Sequence, residues 1–144
     1  YTLSLHDALP ICQTIEADAA YYAAIRADKE QKAKLQAIFD SLESSVHSKH
    51  LSAKKDFEFH MTIATIAGNS ITEQVMSTLS DKLLKVVTHN IVNTLISEVK
   101  REEVFEEHRQ ICEAISSGDG EKARQKMWKH LQGARDRYEK LHKQ

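Results

Sequence analysis

Residues 54–70 read KKDFEFHMTIATIAGNS. Phe57, Met61 and Ala64 fall on one line of a helix, and Phe59, Ile63 and Ile66 on the next. The apolar face is therefore broad, as expected of a helix buried over much of its surface. Gly68-Asn69 supplies a stop, because glycine readily takes the left-handed conformation that closes a helix. Ser70, with Glu73 three residues on, reads as the cap and capping box of the next helix. Two polar residues interrupt the apolar pattern. Asp56 and His60 are four apart, so they project from one side of the helix, one turn apart. A carboxylate on such a face carries a burial cost unless it is paired or bound to a metal.

The helical pattern extends outward from this segment. A helix is expected from about Thr14, with Ile15, Ala19, Tyr22 and Ile25 or Arg26 on its inner face. Asp28 is a natural N-cap for the next, with Gln31 completing a capping box, and Leu35, Ile38, Phe39, Leu42 and Val46 form its stripe. The serine-rich stretch Ser44–Ser52 reads as containing a loop. Beyond the quoted segment, a helix running to about Ile96 carries Val75, Leu79, Leu83, Val86, Val87, Ile91, Val92 and Leu95. Glu98–Ser116 forms another and ends at Ser117-Gly118-Asp119-Gly120. The last, from about Glu121 to Leu141, turns Ala123, Met127, His130, Leu131, Ala134 and Tyr138 inward. About six helices with short connections predict an all-α fold, an antiparallel helical bundle.

Composition agrees. One proline and four glycines in 144 residues are too few for the many turns of a sandwich or barrel. A net charge of −1 leaves no basic footprint for nucleic acid, so any contact with DNA requires a segment outside these residues. Cys12 and Cys112 form no CxxC pair or disulfide framework, which suits a reducing cytoplasm. No apolar run approaches the roughly 18–20 residues of a membrane span, and the start lacks the basic region of a signal peptide.

Tyr1–Ile11, YTLSLHDALPI, stands apart. It lacks helical periodicity, holds the proline, and its SLHDALPI string resembles the translation of a sequencing adapter. We read residues 1–11 as an artefactual or disordered leader and 12–144 as the domain. His6 and Asp7 are accordingly left out of the candidate site.

Two further histidines sit in core-like stretches. His108 is three residues before Ile111 and seven before Ile115; His130 is three after Met127 and four before Ala134. Three imidazoles and one carboxylate from three helices suit a borderline divalent ion. Taken singly, each histidine has a competing role as a hydrogen-bonded core residue. His47 and His50 lie in polar sequence, His142 at the terminus, and His89 is ambiguous. Glu58 and Glu107 adjoin the candidate ligands in sequence, but helix rotation carries both away from the ligand faces.

The blocks holding these residues resemble the FadR C-terminal ligand-sensing domain, the FCD domain of GntR-type transcription regulators. DFEFHMTIATIAGNS (Asp56–Ser70) is similar to that family's D-x-x-F-H…I-x-x-x-x-G-N signature. EEHRQICEAISSGD (Glu106–Asp119) and ARQKMWKHL (Ala123–Leu131) resemble its later blocks at matching spacing. IEADAAYYAAIRA (Ile15–Ala27) resembles its early helix, in wording close to regulators that answer to pyruvate or lactate. The resemblance spans roughly Gln13 to Tyr138. It implies a metal held by Asp56, His60, His108 and His130, with zinc the first expectation and nickel or manganese the others. It implies a bundle enclosing a metal and ligand cavity, and a small carboxylate effector. It also implies a homodimer that reads DNA through an N-terminal winged helix-turn-helix, which these residues do not include. The family's effector-holding arginine, ahead of the early Leu-Glu, falls in the Tyr1–Cys12 stretch.

An open metal position beside a net positive site favours an anion, and a hydroxy- or oxo-acid of two to four carbons could chelate through two oxygens. Asn69 and Arg109 are candidate effector contacts; their competing roles are a helix cap and a solvated surface charge. The alternative function is a metal-dependent hydrolase on a helical bundle, which needs a general base beside the metal. A helical interaction module with incidental histidines is the third reading.

Overall fold

A computed structural model describes residues 5–45, 49–94 and 98–142. The described residues form six helices: α1 Leu5–Arg26, α2 Lys29–Ser44, α3 Lys49–Ala67, α4 Ser70–Thr94, α5 Glu98–Ser116 and α6 Gly120–His142. Among the described residues there is no strand, so the all-α bundle expected from the sequence is the fold.

The helix ends follow the chemistry of their caps. Asp28 accepts from the Gln31 amide while the Gln31 side chain accepts from the Asp28 amide, closing the expected capping box. Helix α5 ends in a Schellman turn. Gly118, at φ 77°, donates to Ile115 O and Asp119 donates to Ala114 O, satisfying carbonyls the helix leaves open. Gly68, at φ 70°, ends α3. The capping box expected at Ser70 does not form. Asn69 is the cap of α4, its Oδ1 accepting from the amides of Ile71 and Thr72. Asparagine competes well for this role because its short side chain reaches the open amides of the first turn.

Two boundaries also differ. Helix α3 starts at Lys49, inside the stretch read as a loop, of which residues 46–48 lie outside the described residues. Helix α1 starts at Leu5, so residues 5–11, expected to be a leader without periodicity, continue the helix and bury Ala8. Pro10 sits in its second turn and deprives the helix of one amide bond near its end, where that loss is least disruptive.

Side-chain pairs fix how the helices run. Gln13 bonds Trp128 O and Gln132, and Asp18 pairs with Arg124, so α1 and α6 are antiparallel. Glu16 meets His60 and Arg26 donates to Ala67 O, so α1 and α3 run parallel. Gln36 approaches Cys112 and Glu43 pairs with Arg109, making α2 and α5 antiparallel. The core between them is built from Leu35, Phe39, Phe59, Ile63, Ile111, Ile115 and Met127, together with the alanines of α1. On α1 the inner face is only partly the one expected: Ala19 is buried in the core, but the larger residues of that stripe are not. Tyr22 and Ile25 are exposed, while Cys12, Gln13, Glu16, Ala17, Ala20, Ala23 and Ala24 are buried. Small residues let the backbones of α1 and its neighbours approach closely, and the larger apolar residues are turned outward. On α2 the stripe Leu35, Ile38, Phe39 and Leu42 is buried as expected; Val46 lies outside the described residues. On α4 the side chains of Leu83, Val86, Val87, Ile91 and Val92 also lie outside them, as does Leu95.

Gly120 and Gly133 offer a test of the packing. A Cβ on Gly120 would lie 2.8 Å from two ring carbons of Tyr21, a ring flanked by Arg124 and Tyr22. A Cβ on Gly133 would meet only the far end of Arg137 at 3.0 Å and a Glu107 oxygen at 3.5 Å. Gly120→Ala is expected to destabilise by about 1–3 kcal/mol through overpacking. Gly133→Ala is expected to be neutral or to stabilise by up to about 1 kcal/mol through helix propensity. Urea denaturation distinguishes them, and equal losses would contradict the close α1–α6 approach.

Candidate metal centre

Asp56, His60, His108 and His130 come together. Each offers a ligand atom within 4.8 Å of the others, and all four residues are buried. The α3 spacing puts Asp56 and His60 side by side; α5 supplies His108 and α6 supplies His130. Phe59 lies edge-on to both His60 and His108 and closes one side of the cluster.

The outer ring nitrogens are all engaged. His60 Nδ1 lies 2.5 Å from Glu16 Oε2, and His130 Nδ1 lies 2.7 Å from Glu107 Oε2. His108 Nδ1 donates to Val104 O at 2.7 Å, on its own helix. Acceptors at all three Nδ1 positions place a proton there and leave the Nε2 lone pairs facing inward. His108 Nε2 stands 2.7 Å from Asp56 Oδ1, and His130 Nε2 stands 3.3 Å from His60 Nε2. His60 Nε2 is 3.9 Å from Asp56 Oδ2. Four electron-pair donors in one buried space repel unless a cation lies among them. His108 Nε2 is fully buried and, although 2.7 Å from Asp56 Oδ1, makes no well-aligned hydrogen bond, as suits a nitrogen aimed at a shared ion rather than at that oxygen. A tetrahedral ion with bonds of about 2.0–2.1 Å requires ligand atoms about 3.3 Å apart, and the observed separations bracket that distance. The residues fit a divalent metal.

Without the metal a proton takes its place. Burial opposes a charge on His60, but Glu16 and Asp56 outweigh it and raise its pKa to about 9. Burial likewise opposes the Asp56 carboxylate, but His108, His60 and His130 hold its pKa below the ordinary range. Burial, reinforced by His108 and His60, pushes His130 well below its usual value. His60 thus carries the proton and His130 accepts from it. Burial raises Glu107, against the opposing pull of Arg137 and His108.

The other sequence candidates lie elsewhere. Asn69 is exposed and caps α4. Arg109 pairs with Glu106 and Glu43 at the surface. Neither is brought to the cluster. Glu58 pairs with Lys55, also at the surface. His47 lies outside the described residues, as do the side chains of His6, His50, His89 and His142. Sequence reasoning missed Glu16 and placed Glu107 away from the site. Glu16 falls four residues before Ala20 and seven before Ala23, so an alanine stripe was the available signal. Glu107 does leave the His108 face, but it meets His130 on the neighbouring helix.

The sequence pattern of the FCD domain matches residues 7–133, and the chain belongs to that family, found in GntR-family regulators. It is 30% identical over 125 residues to a putative L-lactate dehydrogenase operon regulatory protein of Escherichia coli K12, covering 87% of this chain and 48% of that protein. It is 30% identical over 118 residues to the HTH-type transcriptional regulator LutR of Bacillus subtilis 168, covering 79% and 54%. The chain spans about half the length of these relatives. The GntR structure from Streptococcus agalactiae has the same fold, at a TM-score of 0.73 and 23% identity, over 91% of this chain and 57% of that one. Among the described residues no helix is long and apolar enough to cross a membrane.

The metal-free protein should lose stability at alkaline pH. His60 has a folded pKa of about 9 against an ordinary 6.5, so its contribution is complete below 6.5 and is lost as pH rises through 9. Urea midpoints measured with chelator present should fall between pH 6.5 and 9, and Glu16→Gln should shorten that fall. A flat response over this window would refute the charged His60–Glu16 pair.

Proposed function

We propose that this domain is a metal-containing sensor of a small carboxylate, working as the effector-binding half of a transcription regulator. The observation that carries the reading is the set of inward Nε2 lone pairs whose outer nitrogens are all held by acceptors. Second partners of this kind are what metal-ligating histidines ordinarily have. Asp56, His60, His108 and His130 would hold the ion. Zinc suits three imidazoles and one carboxylate best, with nickel or manganese the alternatives. When bound, a divalent ion that expands from four to five or six coordination would offer the added positions to a carboxylate and a neighbouring hydroxy or oxo group.

Net charge attracts an anionic effector less than the four ligands alone would. Glu16 and Glu107 stand directly behind two of the histidines, and Arg137, 3.6 Å from Glu107, offsets only part of their charge. Attraction of a carboxylate then rests on direct coordination rather than on a net positive site. The relative described as a putative L-lactate dehydrogenase operon regulatory protein supports a two- to four-carbon hydroxy- or oxo-acid. The HTH-type relative supports action through a DNA-reading domain, which on this proposal is N-terminal and works in a cytoplasmic homodimer. Effector binding would act by preferring one arrangement of the bundle, which shifts the equilibrium between DNA-reading geometries. The same relatives favour sensing over the hydrolase alternative, and Glu58 and Glu107 are both committed to other partners.

Protein purified without chelator should carry about one transition ion per chain by elemental analysis. His108→Ala should weaken zinc binding by more than the roughly 10–100-fold typical of losing an outer partner, whereas His89→Ala and His47→Ala should leave it unchanged. Equal losses would reject the ligand set. In zinc-loaded protein the alkaline loss of stability should disappear, because the ion replaces the His60 proton. Calorimetry with lactate, pyruvate, glycolate and citrate tests the effector. Heat of binding that persists after zinc is removed would reject coordination as its basis.

A further inference from the structure

We propose that Glu16 is a positioning residue for the metal centre, tying α1, which supplies no ligand, to its affinity through His60. The inference rests on the metal reading above and adds a residue that reading does not require. Glu16 is 5% exposed, and its carboxylate lies 2.5 Å from His60 Nδ1 across the α1–α3 interface. Burying a carboxylate is costly unless its partner repays desolvation, and a glutamine or an aliphatic residue would fill the same space. The three histidines differ in how their outer nitrogens are held. His108 uses a backbone carbonyl of its own helix. His130 uses Glu107, which is 31% exposed and approached by Arg137. His60 alone has a carboxylate that is both buried and delivered by a separate helix.

That placement has two consequences. A full negative charge at Nδ1 fixes the ring tautomer with Nε2 free and makes Nε2 the more basic donor. It also makes the position of α1 part of the centre. The buried face of α1 is mostly alanine, with shallow relief, so large interdigitating side chains do little to fix its register against α3. The Glu16–His60 contact, with the Arg26 bond to Ala67 O near the other end, sets that register. Affinity gained through Glu16 is returned, by linkage, as stabilisation of docked α1.

The test is the zinc dissociation constant, read by competition with a chelating dye, for the unmodified chain, Glu16→Gln, Glu16→Ala and the control Asp18→Asn. Asp18 lies on the same helix but pairs with Arg124 at the surface. Glu16→Gln, which can still accept from Nδ1, should bind about 10-fold more weakly, and Glu16→Ala up to about 100-fold; Asp18→Asn should match the unmodified chain. Nitrogen-15 spectra of the zinc-loaded unmodified protein should show a protonated, slowly exchanging His60 Nδ1, lost in Glu16→Ala. Undiminished affinity in folded Glu16→Ala overturns the inference alone. If that variant does not fold, unchanged affinity in Glu16→Gln, or an unprotonated His60 Nδ1 in the unmodified protein, overturns it equally. Failure of the unmodified protein to bind zinc overturns the metal reading and this inference with it.

Discussion

Everything at the centre of this bundle depends on one constraint: several electron-pair donors share a space that water does not reach. Asp56 and three imidazoles face each other inside a core of Phe59, Ile63, Ile111 and Met127. Such an arrangement is unstable as four neutral or negative donors, and a positive group must sit among them. In the metal-free state the buried proton on His60 fills that role, and in the proposed loaded state a divalent ion does. The same residues can therefore be read as a salt-bridged core or as a coordination sphere. What favours the second is His108 Nε2, which lies 2.7 Å from Asp56 Oδ1 yet is poorly aligned for a hydrogen bond to it.

The bundle is arranged to keep those donors from turning away. Each Nδ1 is anchored, by Glu16, Val104 O or Glu107, and each anchor sits on a helix fixed by other contacts. Helix α1 is held to α6 through Gln13 and Asp18 and to α3 through Arg26. The Schellman turn at Gly118 brings α6 back along α5, which lets Glu107 reach His130. Fold and site are thus one structure, since the contacts that set helix register also orient the rings.

The sequence made the inner ligands legible and the outer ones not. Asp56 and His60 share a helix face by spacing alone, and His108 and His130 lie in register with large apolar residues whose burial is easy to foresee. Glu16 was hidden because large apolar residues dominate the periodicity of α1. Ile15, Ala19, Tyr22 and Ile25 or Arg26 suggested a face, of which Ala19 is buried while Tyr22, Ile25 and Arg26 are exposed, since close backbone approach needs small residues. Glu107 was hidden for another reason. Periodicity reports which residues share a face of one helix, and Glu107 matters through a neighbour on another. Asn69 illustrates the limit at helix ends, where Asn69 and Ser70 both suit a cap and only the path of the chain decides between them.

The outer carboxylates also change what the centre can select. With a single carboxylate among the ligands, a divalent ion leaves net positive charge, and any small anion is attracted. With Glu16 and Glu107 behind the rings, that general attraction is largely cancelled at a distance. Long-range charge then contributes little, and an anion is held to the extent that its own oxygens complete the coordination sphere. A ligand offering two oxygens in chelating geometry keeps its advantage, whereas a simple monodentate anion loses most of it. In the proposed loaded state, the carboxylates that anchor the rings would thereby shift recognition from charge toward shape, which is the discrimination that the proposed sensing of hydroxy- and oxo-acids requires.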